Sequence, residues 1–275
     1  RRLHFKSKIK GELEIAQASP IDAQIPEEID FEFKIDTAAL LRGVRAIGFT
    51  PTNLEKHLIA KVIQDGTKFA IMLNDSMRVA VYRTKVDALS NGEKIEMTVP
   101  LGFLVGMANR VEHNSIKVGS TESTIRMCAG NLDVYHPLRQ EEIPDVAEYL
   151  ESVYENDPRA EVSFDCSDML EVLRNVSSIS AGALDFNQAV RLTLDAENVE
   201  ATLRMKSSIG EAQESFAVGA VEVNSENAVE ISSRFAQEFL SLIKSGRTTL
   251  KIYENQAVFK ALDEDITLLM AVFGE

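Results

Sequence analysis

Phe31-Glu32-Phe33-Lys34-Ile35-Asp36-Thr37-Ala38-Ala39-Leu40-Leu41-Arg42-Gly43-Val44-Arg45-Ala46-Ile47 decides how this chain is read. Phe31, Phe33 and Ile35 alternate with polar residues, the period of a strand with one buried face. Asp36 or Thr37 can then accept hydrogen bonds from first-turn amides, which opens a helix. Leu40, Val44 and Ile47 follow at helical spacing and give that helix one apolar stripe.

The same unit returns three times. The lead-in strands are Phe31–Ile35, Ile95–Val99, Glu161–Phe164 and Val229–Ser232, and the helices open near Thr37, Leu101, Asp168 and Arg234, at offsets of 64, 67 and 66 residues. Pro100 suits a first helical position because it has no amide to leave unpaired. The Asp165/Ser167 pair and Ser232 or Ser233 supply capping oxygens. Stripes of Phe103, Met107 and Val111, of Met169, Leu173 and Val176, and of Phe235, Phe239 and Leu242 mark the core faces. Between helices the period changes to two, as in Phe69, Ile71 and Leu73 or Val190, Leu192 and Leu194, with turns at Asp65-Gly66, Ser90-Asn91-Gly92, Ala129-Gly130-Asn131, Glu197-Asn198 and Glu254-Asn255. Several short strands follow each helix, so the class is α+β, with two similar domains each holding two helices backed by antiparallel sheets.

Pairing the units predicts domains at residues 31–153 and 160–275. The stretch Gln140–Arg159 is acidic, holds Pro144 and Pro158, and reads as a crossing strand and a solvated linker. Residues 1–30 lie outside the repeat, with five basic residues in the first ten positions; they read either as an extra strand pair with a basic tip or as a disordered arm.

The chain of 275 residues is 45% hydrophobic and carries a formal charge of −14, which excludes a disordered or fibrous class and repels nucleic acid unless positive groups are segregated. No run approaches the length of a membrane span, and no secretion signal is evident, so a soluble cytoplasmic protein is expected. Cys128 and Cys166 read as small core side chains, with no disulfide framework or zinc site. His4, His57, His113 and His136 lack a partner nucleophile or carboxylate at catalytic spacing, and no phosphate-cradling glycine loop is present. Neither an enzyme nor a cofactor is expected. The four helices carry six basic residues, Arg42, Arg45, Arg110, Arg174, Arg234 and Lys244, against three acidic ones, a net positive layer in an acidic chain. Such a layer suits duplex phosphates, although charge alone also fits solvated helix surfaces.

Four ordered segments carry a family resemblance. Asn74-Asp75-Ser76-Met77-Arg78-Val79-Ala80-Val81, Glu141-Glu142-Ile143-Pro144-Asp145, Ala189-Val190-Arg191-Leu192 with Gly210-Glu211-Ala212-Gln213-Glu214, and Leu268-Leu269-Met270-Ala271-Val272-Phe273 together resemble the sliding clamps of DNA replication, of the bacterial beta-subunit type. The likeness spans residues 31–275 and implies the clamp fold, with two domains like the middle and last of a three-domain protomer. It also implies a homo-oligomeric ring around double-stranded DNA. Six-domain closure by a two-domain chain would make that ring a trimer. The six basic helix residues would then line the hole.

The resemblance further implies a pocket that takes short peptide motifs from DNA polymerase and the clamp loader. Carried over by position, its wall is Leu54, Asn74, Ser76, Met77, Arg78 and Val79 from the first domain. Pro144, Glu148 and Tyr149 come from the connection, and Leu268, Met270, Ala271 and Val272 from the end of the chain. Ser76 and Met77 stand where the family has glycine and histidine, and the tail lacks the family's proline. A peptide-binding scaffold that does not encircle DNA is the alternative reading.

Overall fold

Capping chemistry sets the helix starts. In the computed structural model, which describes residues 29–48, 58–75, 77–90, 94–139, 146–180, 188–243, 246–262 and 265–273, Asp36 accepts from the amides of Ala38 and Ala39 at 2.8 and 3.0 Å. Asp165 accepts from Ser167 at 2.8 Å and Ser232 from Phe235 at 3.3 Å. Pro100 occupies the cap itself, one residue before its expected place. It offers no capping side chain, and the Leu101 amide donates instead to the Leu58 carbonyl at 3.0 Å.

The first repeat runs β1 (Phe33–Asp36), α1 (Thr37–Ile47), β2 (Ile59–Asp65), β3 (Lys68–Asn74) and β4 (Arg78–Lys85). The second runs β5 (Asp87–Ala88), β6 (Ile95–Pro100), α2 (Leu101–Arg110), β7 (Ser115–Ser120), β8 (Thr124–Ala129) and β9 (Leu132–Pro137). After α3 (Val146–Tyr154) come β10 (Ala160–Asp165), α4 (Cys166–Ser177), β11 (Ala189–Asp195), β12 (Glu200–Ser207) and β13 (Gly210–Ala217). The fourth repeat is β14 (Ala220–Val223), β15 (Ala228–Ser232), α5 (Ser233–Leu242), β16 (Arg247–Ile252), β17 (Gln256–Ala261) and β18 (Ile266–Ala271). The fold is α+β, as the repeat predicts.

Each lead-in strand leaves its own repeat. β1 pairs with β7 and β6 with β2, while β10 pairs with β16 and β15 with β11, all antiparallel. This exchange ties repeats together in pairs. The last strands of the first and fourth repeats, β4 and β18, then pair with each other and fuse strands from both halves into a nine-stranded sheet. Among the described residues the last strands of the other two repeats, β9 and β13, have one neighbour each and end a five-stranded and a four-stranded sheet.

One core lies between the sheets and the helices. Leu40, Val44 and Ile47 of α1, Met169, Leu173 and Val176 of α4, and Phe235 and Phe239 of α5 are buried there as their spacing predicts. In α2 the buried set is Leu101, Leu104, Met107 and Ala108 rather than the expected stripe. Phe103 is half-buried against His136, with ring centroids 4.5 Å apart, and Val111 falls just past the helix end.

A second core corrects the reading of the acidic connection. Residues 146–154 form a helix, and its Val146, Leu150 and Val153 pack on Ile63, Met72, Val79, Val81, Tyr253, Val258 and Leu269. These partners come from both halves of the nine-stranded sheet, so α3 straps across the β4–β18 seam on the face opposite the other helices. Burial pushes the Tyr253 hydroxyl up to about 12, helped by neighbouring Tyr154 and Glu161, which keeps it neutral in this layer. Each buried aliphatic of α3 contributes about 1.5–3 kcal/mol. Leu150→Ala is expected to lower stability to urea by about 2–5 kcal/mol. Glu151→Ala, on the exposed side of the same helix, is expected to stay within about 0.5 kcal/mol.

Candidate functional site

The four helices opposite α3 form a layer in the order α2, α1, α5, α4, because α1 packs on α2, α4 on α5, and α1 meets α5 across the seam. Their outward faces decide what that layer can meet. Arg42 and Arg45 of α1, Arg110 of α2 and Arg174 of α4 are exposed. Arg234 is different. Half-buried, it donates from Nε to Glu238 Oε1 one turn on, at 3.1 Å. Lys244 lies outside the described residues.

Glu238 has a second partner from the other half of the chain. Arg78, at the start of β4 and only 2% exposed, donates from Nη1 to Glu238 Oε2 and from Nε to Asp75 Oδ2, the latter at 3.1 Å. Asp75 Oδ1 also accepts from the amides of Met77 and Arg78, at 3.2 and 3.1 Å, which holds the short turn into β4. The guanidinium lies 4.0 Å from the centre of the Phe235 ring, a stacking suited to its planar, weakly hydrated charge. Arg78 therefore joins the β3–β4 turn to α5. It also lines a cavity of about 180 Å³ with Arg45, Phe239, Leu242 and Leu268, at the point where α1 and α5 meet.

Strand alternation sorts the rest of the predicted pocket wall. Across the seam, Arg78 faces Met270, Val79 faces Leu269 and Ala80 faces Leu268. Val79 and Leu269 point to the α3 side, whereas Leu268 and Met270 point to the helix layer and are fully enclosed. The wall expected from sequence thus divides between two faces of one sheet. At the end of the seam, accessible groups do converge. The Ala271 amide donates to the Met77 carbonyl and the Val272 amide to the Asn255 carbonyl, each at 3.1 Å. Gln256 Nε2 donates to Tyr149 Oη at 2.9 Å. Met77, Ala271 and Val272 so form a strip at the end of the seam: Ala271 shares the face of Gln256 and Tyr149, whereas Met77 and Val272 are half-buried against the core under the helix layer, with Glu148 exposed beside Tyr149 and Asn74 half-buried at the end of β3. Leu54, Ser76 and Pro144 fall outside the described residues.

Sequence reasoning missed several groups here. Leu269 was passed over in favour of neighbours on the other face, although the period of two in Leu268-Leu269-Met270-Ala271 separates them. Beyond the strip, the Phe273 amide donates to the Glu230 carbonyl at 3.0 Å, so the end of the chain reaches β15. Behind it is a cavity of about 230 Å³ walled by Arg159, Arg191, Glu226, Glu230, Tyr253 and Asn255. Arg159 is already held there by Glu226 and Glu254.

Arg78→Met is expected to destabilise the protein by about 3–5 kcal/mol, because it leaves Asp75 and Glu238 without their shared cation. Adding Glu238→Gln should recover part of that loss, and a double-mutant cycle in urea unfolding measures the coupling.

No family model and no curated relative matches this chain. Solved structures do. The DNA polymerase sliding clamp of Bacillus subtilis superposes with a TM-score of 0.78 at 16% identity, over 92% of this chain and 67% of that one. The DNA polymerase III beta subunit of Thermotoga maritima gives 0.80 at 14% identity, over 98% and 73%. A putative DNA polymerase III beta subunit of Eubacterium rectale gives 0.79 at 14% identity over the same shares. The chain thus has the fold of the DNA polymerase sliding clamps.

Proposed function

We propose that this protein is a DNA sliding clamp, a ring-forming processivity factor that encloses duplex DNA and tethers a polymerase. The observation that carries the reading is the pair of unpaired edges. β4 and β18 are the last strands of their repeats and pair within the chain. β9 and β13 hold the equivalent places in the other two repeats, and among the described residues each ends its sheet. The same antiparallel seam, made between β9 of one copy and β13 of the next, links copies head to tail. A head-to-tail contact closes into a ring when the rotation permits. With two domains per copy, residues 31–153 and 160–275, six-domain closure takes three copies.

In such a ring the helix layer faces the hole and the sheets face outward. Loose contacts to phosphates let the ring slide without reading sequence, and release requires opening it. No bond chemistry is involved and no cofactor is called for. The strip of Met77, Tyr149, Ala271 and Val272 is the proposed docking site for peptide motifs of the polymerase and clamp loader. Methionine and small apolar groups there can repack around varied partners. Among the described residues no helix is long and apolar enough to cross a membrane, which accords with work in the cytoplasm.

The second reading, a peptide-binding scaffold that does not enclose DNA, is favoured by the exposed Asp168 and Glu171 on α4. The two part cleanly in experiment. Light scattering should give about 91 kDa, three times the 30.5 kDa chain, and after loading the protein should stay on circular duplex yet run off linear duplex. A monomer that binds peptide and is never trapped on circles would overturn the clamp reading. Leu132→Lys with Gln213→Lys, which places like charges on the two edges, should lower the native mass to that of one chain with its circular dichroism unchanged.

A further inference from the structure

Charge on the helix layer is uneven. The exposed faces of α1 and α2 carry Arg42, Arg45 and Arg110, and no acidic residue occurs in either helix. The outward face of α4 carries Asp168 and Glu171 as well as Arg174. Glu171 precedes Arg174 by three residues, so the two share a face and oppose each other's field. Asp168 sits in the first turn of α4, where it offsets the positive end of the helix dipole. Between these helices, α5 offers Arg234 already bonded to Glu238, and Glu238 also answers Arg78. Across the layer the sign therefore runs from positive at α2 and α1, through balanced at α5, to slightly negative at α4.

Given the clamp reading, on which this inference rests, we propose that duplex DNA bears on the α1–α2 half of the layer alone and is held away from α4. The ring hole would then present alternating cationic and weakly anionic sectors, and the duplex would run against a cationic sector off the ring axis. The occupant is fixed by charge. Three exposed guanidinium groups on two helices with no acidic residue of their own match a polyanion backbone, and the acidic residues of α4 repel the same backbone. Confining contacts to few cations also suits sliding, because each phosphate neutralised adds to the salt-dependent hold on the duplex.

The test compares charge removal on the two halves, using the full-length protein. Binding to a fluorescent circular duplex is measured against salt for the wild type, for Arg42→Gln with Arg45→Gln, for Arg174→Gln, and for Asp168→Asn with Glu171→Gln. The α1 pair should weaken binding about tenfold and reduce the slope of log affinity against log salt by about 2. Arg174→Gln should cost less than about twofold, and neutralising Asp168 and Glu171 should tighten binding. Arg174→Gln weakening binding as much as the α1 pair would overturn the one-sided contact and leave the clamp reading standing. A wild-type protein that is not retained on the circle at any salt would overturn both. All five side chains are exposed, so melting curves of the variants should stay close to that of the wild type, with Asp168→Asn lowered slightly by the lost charge at the first turn of α4; a variant that melts much earlier is replaced by the alanine version at the same position and read by the same criteria.

Discussion

The antiparallel pairing of β4 with β18 is the contact on which the rest of the arrangement depends. It is made between the ends of two repeats far apart in the chain, and it turns two smaller sheets into one. Both faces of that seam must then be covered, since side chains alternate across it. On one side α3 lays Val146, Leu150 and Val153 over residues from both halves. On the other, Leu268 and Met270 lie under the helix layer, where Arg78 reaches from the first half to Glu238 and Phe235 in the second. A buried guanidinium costs several kcal/mol in lost hydration unless it is fully paired. Its two carboxylates and one aromatic face offset that cost only when α5 and the β3–β4 turn are docked in this register. The ionic cluster thus acts against alternative registers more than it adds to stability.

That same cluster limits which cations can meet a ligand. A chain of formal charge −14 holds few spare positive groups, and Arg78 and Arg234 are committed to carboxylates within the fold. The exposed cations of the helix layer are Arg42 and Arg45 on α1, Arg110 on α2 and Arg174 on α4. A tally of charge along the sequence therefore overstates the cationic surface, because it counts a structural arginine and an exposed one alike. Geometry separates them.

Much of the architecture was legible in sequence because it is written in short-range signals. Asp36, Asp165 and Ser232 cap the helices they were assigned to, and the even spacing of those helices marked the repeat before any long-range contact was known. Helix α3 was not legible. Its apolar stripe is only three residues, set among Glu148, Glu151 and Glu155, so the acidic composition outweighed a periodicity that was present. The exchange of lead-in strands was also hidden, since local patterning fixes a strand but not its partner. The pocket wall was legible in part. The wall carried over by position draws on β4 and β18, which are neighbours in the sheet, but matching by position ignores alternation, and so it joins Val79 to Leu268 and Met270 across two faces of one sheet.

The low identity to solved clamps, 14–16% at TM-scores of 0.78–0.80 for the three compared, follows from the kind of constraint involved. Alternation, capping and helical stripes are satisfied by many residues of one type, so a sequence can drift far while each pattern survives. The strip at the end of the seam is under that packing constraint only in part: Met77 and Val272 are half-buried against the core, while Tyr149 and Ala271 are exposed. Its backbone is pinned by the Ala271–Met77 and Val272–Asn255 hydrogen bonds, which any side chain allows. Tyr149 and Ala271 can therefore change while the seam beneath them stays fixed. A fold held by pattern can thus keep its seam while the exposed side chains at the end of that seam vary.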